Sequence, residues 1–175
     1  LLRLIRRETE HARAGRHGRI EAKMNALVDP EVIAALYEAS QAGVEIDLTV
    51  RGICCLQPGI SGLSDNITVR SIVGRFLEHA RIFHFHNAGE SETYLSSADW
   101  MPRNLDRRIE LMFPVLDPDV RRNVMDILRL QQQDTAKAWL LDKTTWTPRR
   151  DEANAGRINS QEKLIPYGMK DGSNL

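Results

Sequence analysis

The sequence has few of the residues that build covalently cross-linked or membrane-embedded proteins. Its two cysteines, Cys54 and Cys55, are adjacent, so they offer neither a disulfide framework nor a CxxC metal knuckle. No apolar run approaches the ~20 residues that a membrane-spanning helix needs. Neither sign of charge is in excess, because 24 basic residues stand against 24 acidic ones. This balance disfavours a general nucleic-acid-binding protein, so we expect no transmembrane segment and no nucleic-acid partner.

The composition is that of an ordinary globular domain. The 175 residues are 42% hydrophobic and 27% charged, and a chain of this length can bury a sizeable core. It begins without methionine, and Leu1 lies inside an amphipathic pattern that has no capping residue before it. We therefore expect the chain to be a piece of a longer protein.

The first third of the chain alternates between strand and helix patterns. Residues 20–24 and 44–50 show the two-residue period of half-buried strands. Between them, Asp29 and Pro30 begin a helix whose apolar stripe ends before Gly43. A strand, a helix and a strand in close succession predict a βαβ unit with two parallel strands.

Further elements surround this unit. An amphipathic helix is expected from Leu1 onwards, and a second long helix begins at Asp117 and Pro118. Strand patterns occupy residues 67–73, 80–86, 93–96 and 108–115. Beyond residue 141 large apolar side chains become rare. We therefore predict a folded α/β domain over residues 1–141 and a poorly structured tail over residues 142–175.

The densest group of candidate catalytic residues begins at His79 and Arg81. In an extended backbone these two side chains project to the same side, whereas His84 and His86 project to the other. Phosphoryl transfer needs a fixed positive charge on the transferred oxygens and a group that protonates the leaving oxygen. An arginine and a histidine facing one pocket would supply both.

Other polar residues are candidates for binding a polyanion. Arg51 follows a predicted parallel strand, at the end where ligands of open α/β sheets bind, and its guanidinium can hold a phosphate through two hydrogen bonds. Taken singly, each of the other candidates is better explained as a solvated charge or a structural partner, and only together do they indicate a basic pocket. They are Lys23, Asn25, Arg75, Arg81, Ser96, Ser97, Arg103, Asn104 and Arg107.

Several of these residues occur in a recognisable order. His79 and Arg81, a turn, residues 96–99 and then Asn104 form a series similar to the His-x-Lys and Gly-Ser-x-Asn signature of the phospholipase D superfamily. Arg81 stands where that signature has lysine, and Asp99 stands where it has asparagine. Over residues 1–141 the chain more closely resembles the C-terminal catalytic domain of bacterial polyphosphate kinases. The segments that carry this resemblance are residues 23–29, 50–54, 71–79 and 94–104.

The resemblance implies a phospholipase D-like fold, a mixed β-sheet flanked by α-helices on both faces. The implied activity is the reversible transfer of the γ-phosphate of ATP to inorganic polyphosphate, through a phosphohistidine in an upstream domain that is absent from this chain. In the family His79 matches the second essential histidine, which contacts ATP and is a candidate general acid. Arg51 matches the nucleotide-binding arginine.

The same resemblance implies the surroundings of the site. ATP or ADP and inorganic polyphosphate are the expected partners, together with upstream domains of the same polypeptide. The magnesium ion expected in the full-length enzyme takes its ligands from outside this chain, so we expect no metal site here. We also expect a homo-oligomer in the cytoplasm, with peripheral association with the inner face of the membrane as a further expectation.

Two other functions stay open at this stage. One is a non-catalytic phosphate-binding or assembly module, which intact ATP binding without turnover would favour. The other is a phospholipase D-like phosphodiesterase that completes its site by homodimerisation, which hydrolysis of a phosphodiester by this chain alone would favour. For the polyphosphate kinase function, the isolated fragment is expected to be inactive.

Overall fold

The computed structural model describes residues 1–149 and 156–170. In these residues the helices are α1 (Leu2–Arg13), α2 (Pro30–Gln41), α3 (Pro102–Arg107), α4 (Pro118–Gln132) and α5 (Ser160–Lys170), with a short 3₁₀ turn at Asn87–Gly89. The strands are β1 (Arg19–Met24), β2 (Glu45–Val50), β3 (Ile67–Ile72), β4 (Ile82–Phe85), β5 (Glu92–Ser96), β6 (Met112–Pro114), β7 (Ala138–Asp142) and β8 (Thr145–Pro148).

The described strands form one mixed sheet in the order β6-β5-β4-β1-β2-β3-β7-β8. The central strands β1, β2 and β3 are parallel to one another, and the outer strands pair antiparallel. Helix α2 connects β1 to β2. The predicted βαβ unit with two parallel strands is therefore confirmed.

The two long predicted helices begin where capping chemistry places them. A side-chain oxygen of Asp29 accepts a hydrogen bond of 2.9 Å from the backbone N–H of Val32, and Pro30 occupies the first turn of α2. Asp117 caps α4 in the same way, by accepting from the backbone N–H groups of the next turn. These contacts satisfy donors that have no partner within the helix.

Helices cover both faces of the sheet. On one face, Ile20 and Met24 of β1 are fully buried in a core that also takes Ile5 of α1 and Leu36 of α2. On the other face, Ile82 of β4 packs against Met125 and Leu128 of α4. The predicted mixed sheet with helices on both faces is thus confirmed. No helix in the described part of the chain is both long and apolar enough to cross a membrane.

The strand directions bring several chain segments to one edge of the sheet. The parallel strands β1, β2 and β3 all end there. Strand β4 is antiparallel to β1, with Lys23 opposite Ile82, so the residues just before Ile82 lie at the same edge. Arg51, which follows β2, and His79, which precedes β4, are therefore brought to the same end of the sheet.

The structure differs from the sequence-based prediction near three elements. Strand β4 begins at Ile82, so the chain through His79 and Arg81 precedes the strand and the alternation argument does not fix their sides. Strand β6 covers only Met112–Pro114 of the predicted residues 108–115. The segment predicted as a poorly structured tail contains β8 and α5, with Ser160 and Gln161 buried; residues 150–155 and 171–175 lie outside the described residues.

The C-terminal segment is anchored by polar groups, which hydropathy does not register. Asp134 is fully buried after α4. One of its carboxylate oxygens accepts hydrogen bonds of 2.7 Å from both the backbone N–H and the hydroxyl of Ser160. A segment with few apolar side chains can therefore be held by a buried carboxylate whose hydrogen bonds are satisfied.

Candidate functional site

Arg51 lies at the edge of the sheet where the parallel strands end. Its backbone N–H donates to the carbonyl of Met24 at 3.1 Å, and its carbonyl accepts from the hydroxyl of Ser71 at 2.9 Å. The backbone of Arg51 is thus fixed between β1 and β3. In the side chain, Nη1 is buried and has no hydrogen-bond partner among residues 1–149 and 156–170. A buried guanidinium donor without a partner is costly unless a ligand accepts from it.

Lys23 is a predicted site residue whose charge already has a partner. The side chain is fully buried, its Nζ lies 3.3 Å from Oε2 of Glu78, and it donates to the carbonyl of Ala80 at 3.2 Å. Burial lowers the pKa of Lys23 below its usual value; the Glu78 carboxylate opposes this, and the charges of Arg51 and Arg81 add to it. Lys23 therefore fastens the segment before β4 instead of presenting a free cation.

Arg81 is likewise paired. Its Nε lies 3.1 Å from Oδ1 of Asp99 and its Nη2 lies 3.0 Å from Oδ2, so the guanidinium holds the carboxylate with two hydrogen bonds. Asn25 donates to the same carboxylate from its backbone N–H at 2.7 Å and from its side-chain nitrogen at 3.1 Å. The Oδ1 atom of Asn25 is buried without a partner in the described part of the chain.

His79 is exposed on a loop that precedes β4. Its carbonyl accepts a hydrogen bond of 3.3 Å from Nη1 of Arg81. The loop, residues 73–80, is tied to the body of the domain by the contacts of Phe76, Glu78 and Ala80, on both sides of the histidine. An imidazole that is exposed on a fixed backbone can reach a ligand without losing a structural contact.

Ser96, Ser97 and Asn104 form a separate group around Glu110. The Ser97 hydroxyl and the Asn104 carboxamide each donate to the Glu110 carboxylate at 2.5 Å. These hydrogen bonds lower the pKa of Glu110 below its usual range. Ser96 donates to the carbonyl of Leu111 at 3.1 Å and accepts from a backbone N–H. The three side chains therefore hold the chain between β5 and β6.

A small cavity of about 200 Å³ adjoins this second group. It is lined partly by Ser96, Asn104 and Glu110, and neither Arg51 nor His79 lines it. The predicted phosphate-path residues thus fall into two places, one at the edge with Arg51 and His79 and one around Glu110. Strands β4 and β5 connect them, because the Ser96 N–H donates to the carbonyl of Arg81 at 3.2 Å.

The remaining basic candidates are exposed. Arg75 lies on the His79 loop, with its guanidinium carbon 5.2 Å from the centre of the Phe76 ring. Arg103 and Arg107 lie on α3 and are open to solvent. His84 is buried on the α4 face of the sheet, with Nδ1 2.9 Å from the hydroxyl of Thr93. Burial lowers the pKa of His84 below its usual value.

In the ranges that the structure describes, neither Cys54 nor the carboxylates at the sheet edge are placed as free metal ligands. Cys54 is half-buried, and burial raises the pKa of its thiol to about 11, which disfavours the thiolate that binds metals. No group of three histidine, cysteine or acidic side chains suited to a metal ion occurs in the described ranges. The two carboxylates at the sheet edge, Glu78 and Asp99, are both engaged in ion pairs.

Sequence reasoning missed Glu78 and its two glutamine partners. Glu78 accepts from the side chains of Gln131 at 2.6 Å and Gln161 at 2.7 Å, in addition to its ion pair with Lys23. Glu78 directly precedes His79, but its partners lie 53 to 83 residues away along the chain. No local periodicity or motif could have identified such contacts.

The chemistry available at this edge of the sheet depends on which polar groups are not already engaged in ion pairs. The pairs Lys23–Glu78 and Arg81–Asp99 are internally neutral. Arg51 retains a donor with no partner in the described part of the chain, and His79 has an exposed imidazole. The arrangement can bind an anionic oxygen through a guanidinium and exchange a proton with a second oxygen, which suits recognition of a phosphate group.

Comparisons by family and by sequence both match this chain to polyphosphate kinases. The family described as "Polyphosphate kinase C-terminal domain 2" matches residues 1–161. Polyphosphate kinase from Paraburkholderia phytofirmans is 55% identical over 166 residues, which are 94% of this chain and 24% of that protein. Polyphosphate kinase 1 from Chlorobaculum tepidum is 53% identical over the same shares of the two chains. The chain thus spans about a quarter of the length of the curated relatives it matches.

Solved structures extend the comparison to the fold. Polyphosphate kinase from Porphyromonas gingivalis superposes with a TM-score of 0.91 at 44% identity, covering 99% of this chain and 26% of that one. NucT from Helicobacter pylori superposes with a TM-score of 0.51 at 8% identity, covering 73% of this chain and 87% of that one. The second similarity shows the fold alone, and the expected phospholipase D-like fold is confirmed.

Proposed function

The chain belongs to the polyphosphate kinase family, in which it matches C-terminal domain 2, and we propose that it is the C-terminal catalytic half of an ATP:polyphosphate phosphotransferase. In the proposed reaction a histidine of an upstream domain attacks the γ-phosphorus of ATP. The bond from that phosphorus to the bridging oxygen breaks, and ADP leaves. The phosphoryl group then passes from the histidine to the end of a polyphosphate chain, and each step is reversible.

Two residues of this chain act on the nucleotide in the proposal. Arg51 binds phosphate oxygens and neutralises the charge that develops on the leaving ADP. His79 donates a proton or a hydrogen bond to the ADP oxygen released from the γ-phosphorus. The observation that carries the proposal is the buried Nη1 of Arg51, which has no partner among the described residues and lies at the edge that also carries His79.

Lys23 and Arg81 are each paired with a carboxylate, so they are weaker candidates than Arg51 for binding the nucleotide. Each is within ion-pair distance of a carboxylate, Lys23 with Glu78 and Arg81 with Asp99. A cation whose charge is already compensated attracts a phosphate less strongly. We therefore propose that these two residues shape the site, and that Arg51 supplies the charge that binds the nucleotide.

The ion pair between Arg81 and Asp99 argues against phosphodiesterase activity. The signature of the phospholipase D superfamily has lysine and asparagine at the positions of Arg81 and Asp99. Here both positions are occupied by the members of one ion pair. A side chain held by two hydrogen bonds to a carboxylate is not free to bind the phosphodiester.

Magnesium is assigned no ligand in this chain. The carboxylates that could bind it at the edge of the sheet, Glu78 and Asp99, are ion-paired with Lys23 and Arg81. We propose that the Mg²⁺ of the intact enzyme is held by residues outside residues 1–175. We also propose that the intact enzyme is a homo-oligomer in the cytoplasm, associated peripherally with the inner face of the membrane.

The proposal is tested on the full-length protein that contains this chain. Synthesis of polyphosphate from ATP is measured alongside hydrolysis of a generic phosphodiester, and ATP binding is measured by calorimetry. We expect synthesis and binding without phosphodiester hydrolysis. Binding without turnover in a folded full-length protein would support the non-catalytic module, and hydrolysis by this chain alone would support the phosphodiesterase.

A further inference from the structure

A buried carboxamide from α5 holds the loop that carries His79. Gln161 is only 5% exposed. Its Oε1 accepts from the backbone N–H of Phe76 at 3.0 Å, and its Nε2 donates to the carbonyl of the same residue at 2.8 Å. These two bonds satisfy the backbone of Phe76 as a neighbouring strand would. At Phe76, the exposed stretch of loop is therefore held by the Gln161 side chain.

Glu78 extends the contact to the residue next to His79. Oε1 of Glu78 accepts from Nε2 of Gln161 at 2.7 Å. Its Oε2 accepts from Gln131 of α4 at 2.6 Å and lies 3.3 Å from Nζ of Lys23. A carboxylate with three donors from three elements has little freedom to move. The loop is thus fixed at Phe76 and Glu78. His79 follows these two residues, precedes β4 and stays exposed.

Gln161 is itself held in place. Ser160, the preceding residue, gives both its N–H and its hydroxyl to the buried carboxylate of Asp134. The other oxygen of Asp134 accepts from three consecutive backbone N–H groups that lead into β7, those of residues 136–138. On the loop side, a Cβ added at Gly74 would clash with Oε1 of Gln161. A side chain at position 74 would therefore displace the carboxamide from this position.

We propose that Gln161 is a positioning residue for His79: it fixes the loop of residues 73–80 and so sets where the imidazole meets the nucleotide. The inference rests on the proposed function, because the position of His79 affects turnover only if His79 acts on the nucleotide. It assigns a role in the active site to the C-terminal segment, whose residues lie far from His79 in the sequence.

The first test is independent of catalysis. Hydrogen exchange is measured by mass spectrometry in the full-length protein carrying Gln161→Ala, with Glu162→Ala as the matched control on the exposed side of the same helix. Removing the acceptor of the Phe76 N–H should speed exchange of that amide by about tenfold or more, measured in a peptide that covers residues 74–80. The control should leave exchange in these residues unchanged. Unchanged exchange in Gln161→Ala would overturn the inference.

The second test asks whether Gln161 acts through His79. In the otherwise wild-type enzyme, Gln161→Ala should lower kcat for polyphosphate synthesis by about tenfold, the scale of a small misplacement of a catalytic group. In an enzyme that already carries His79→Ala, the same change should lower kcat less than about twofold, because the two losses are not additive. Equal losses in both backgrounds would mean that Gln161 supports the structure generally, and the inference would fail.

The outcomes separate this inference from the proposed function. A wild-type enzyme that makes no polyphosphate speaks against the proposed function, whatever the exchange rates are. An active wild-type enzyme whose kcat is unchanged by Gln161→Ala speaks against the positioning role alone. The same polyphosphate-synthesis assay on the full-length protein measures both the wild-type activity and the effect of Gln161→Ala.

Discussion

Arg81 and Asp99 form one ion pair through two hydrogen bonds, of 3.1 Å from Nε and 3.0 Å from Nη2. In the sequence these residues are two separate departures from the signature of the phospholipase D superfamily. In the structure Arg81, where the signature has lysine, binds the carboxylate of Asp99, where the signature has asparagine. The pair is mostly shielded from solvent, with side-chain exposures of 13% and 9%.

This pair should be energetically coupled. Arg81→Ala or Asp99→Ala should each destabilise the domain by about 3 kcal/mol, because each leaves a charge that is buried and unpaired. The double variant should lose clearly less than the sum of the two, and urea denaturation of the three variants measures the difference. Strict additivity would mean that the two side chains do not depend on each other.

The free energy of unfolding of the domain should fall on acidification, and protonation of Asp99 should account for part of this loss. Burial tends to raise the pKa of Asp99, but the hydrogen bonds from Arg81 and from the Asn25 backbone outweigh it and hold the pKa below its usual range. A carboxylate with a depressed folded-state pKa stabilises the fold above its unfolded-state pKa, and this stabilisation is lost as the pH falls through the folded-state value. In Asp99→Asn the free energy of unfolding should therefore depend less steeply on pH below about 4. Parallel curves for the two proteins would contradict this assignment.

The isolated chain should not become phosphorylated by ATP. Its five histidines include no match to the nucleophile of the family, which the resemblance assigns to an upstream domain. Incubation with γ-labelled ATP, followed by detection of alkali-stable label on a gel, tests this expectation. Label on His79 would contradict the proposed division of the active site between two parts of the polypeptide.

His79 and His84 should differ in what they affect. His79→Ala in the full-length enzyme should lower turnover by about 10²-fold, the usual scale of general acid catalysis. His84 is buried, with its ring bonded to Thr93, so His84→Ala should change stability and leave turnover near the wild-type value. Circular dichroism checks folding in both variants. Equal losses of turnover would mean that the proton donor lies elsewhere.

Local patterns predicted most of the central fold. The strand alternation of β1 and β2, the Asp-Pro starts of α2 and α4 and the parallel βαβ order all follow from neighbouring residues. The β7–β8 hairpin and α5 were not predicted. The start of α5 is held by Asp134, a buried polar group that lies 26 residues before Ser160 in the sequence, and hydropathy does not detect such anchors.

The candidate site was predicted less completely than the fold. Arg51 and His79 were candidates from the sequence pattern, the resemblance implied their roles, and those roles stay predictions. The charge balance of the site could not be read from the sequence, because Lys23 meets Glu78 from 55 residues away and Arg81 meets Asp99 from 18 residues away. A sequence shows which charges are present, whereas only the fold shows which of them remain unpaired.

The most direct test of the account compares two arginines at the same edge of the protein. Polyphosphate synthesis from ATP is measured in the full-length enzyme with Arg51→Ala, with Arg51→Lys and with Arg75→Ala, the last replacing an exposed arginine on the His79 loop. Arg51→Ala should lower kcat/KM for ATP by about 10²-fold or more, because it removes a charge-assisted contact to phosphate. Arg51→Lys should restore only part of the loss, since an ammonium cannot reproduce two parallel hydrogen bonds, and Arg75→Ala should stay near the wild-type value. Wild-type kinetics in a folded Arg51→Ala enzyme would contradict the claim that this edge of the sheet binds the nucleotide.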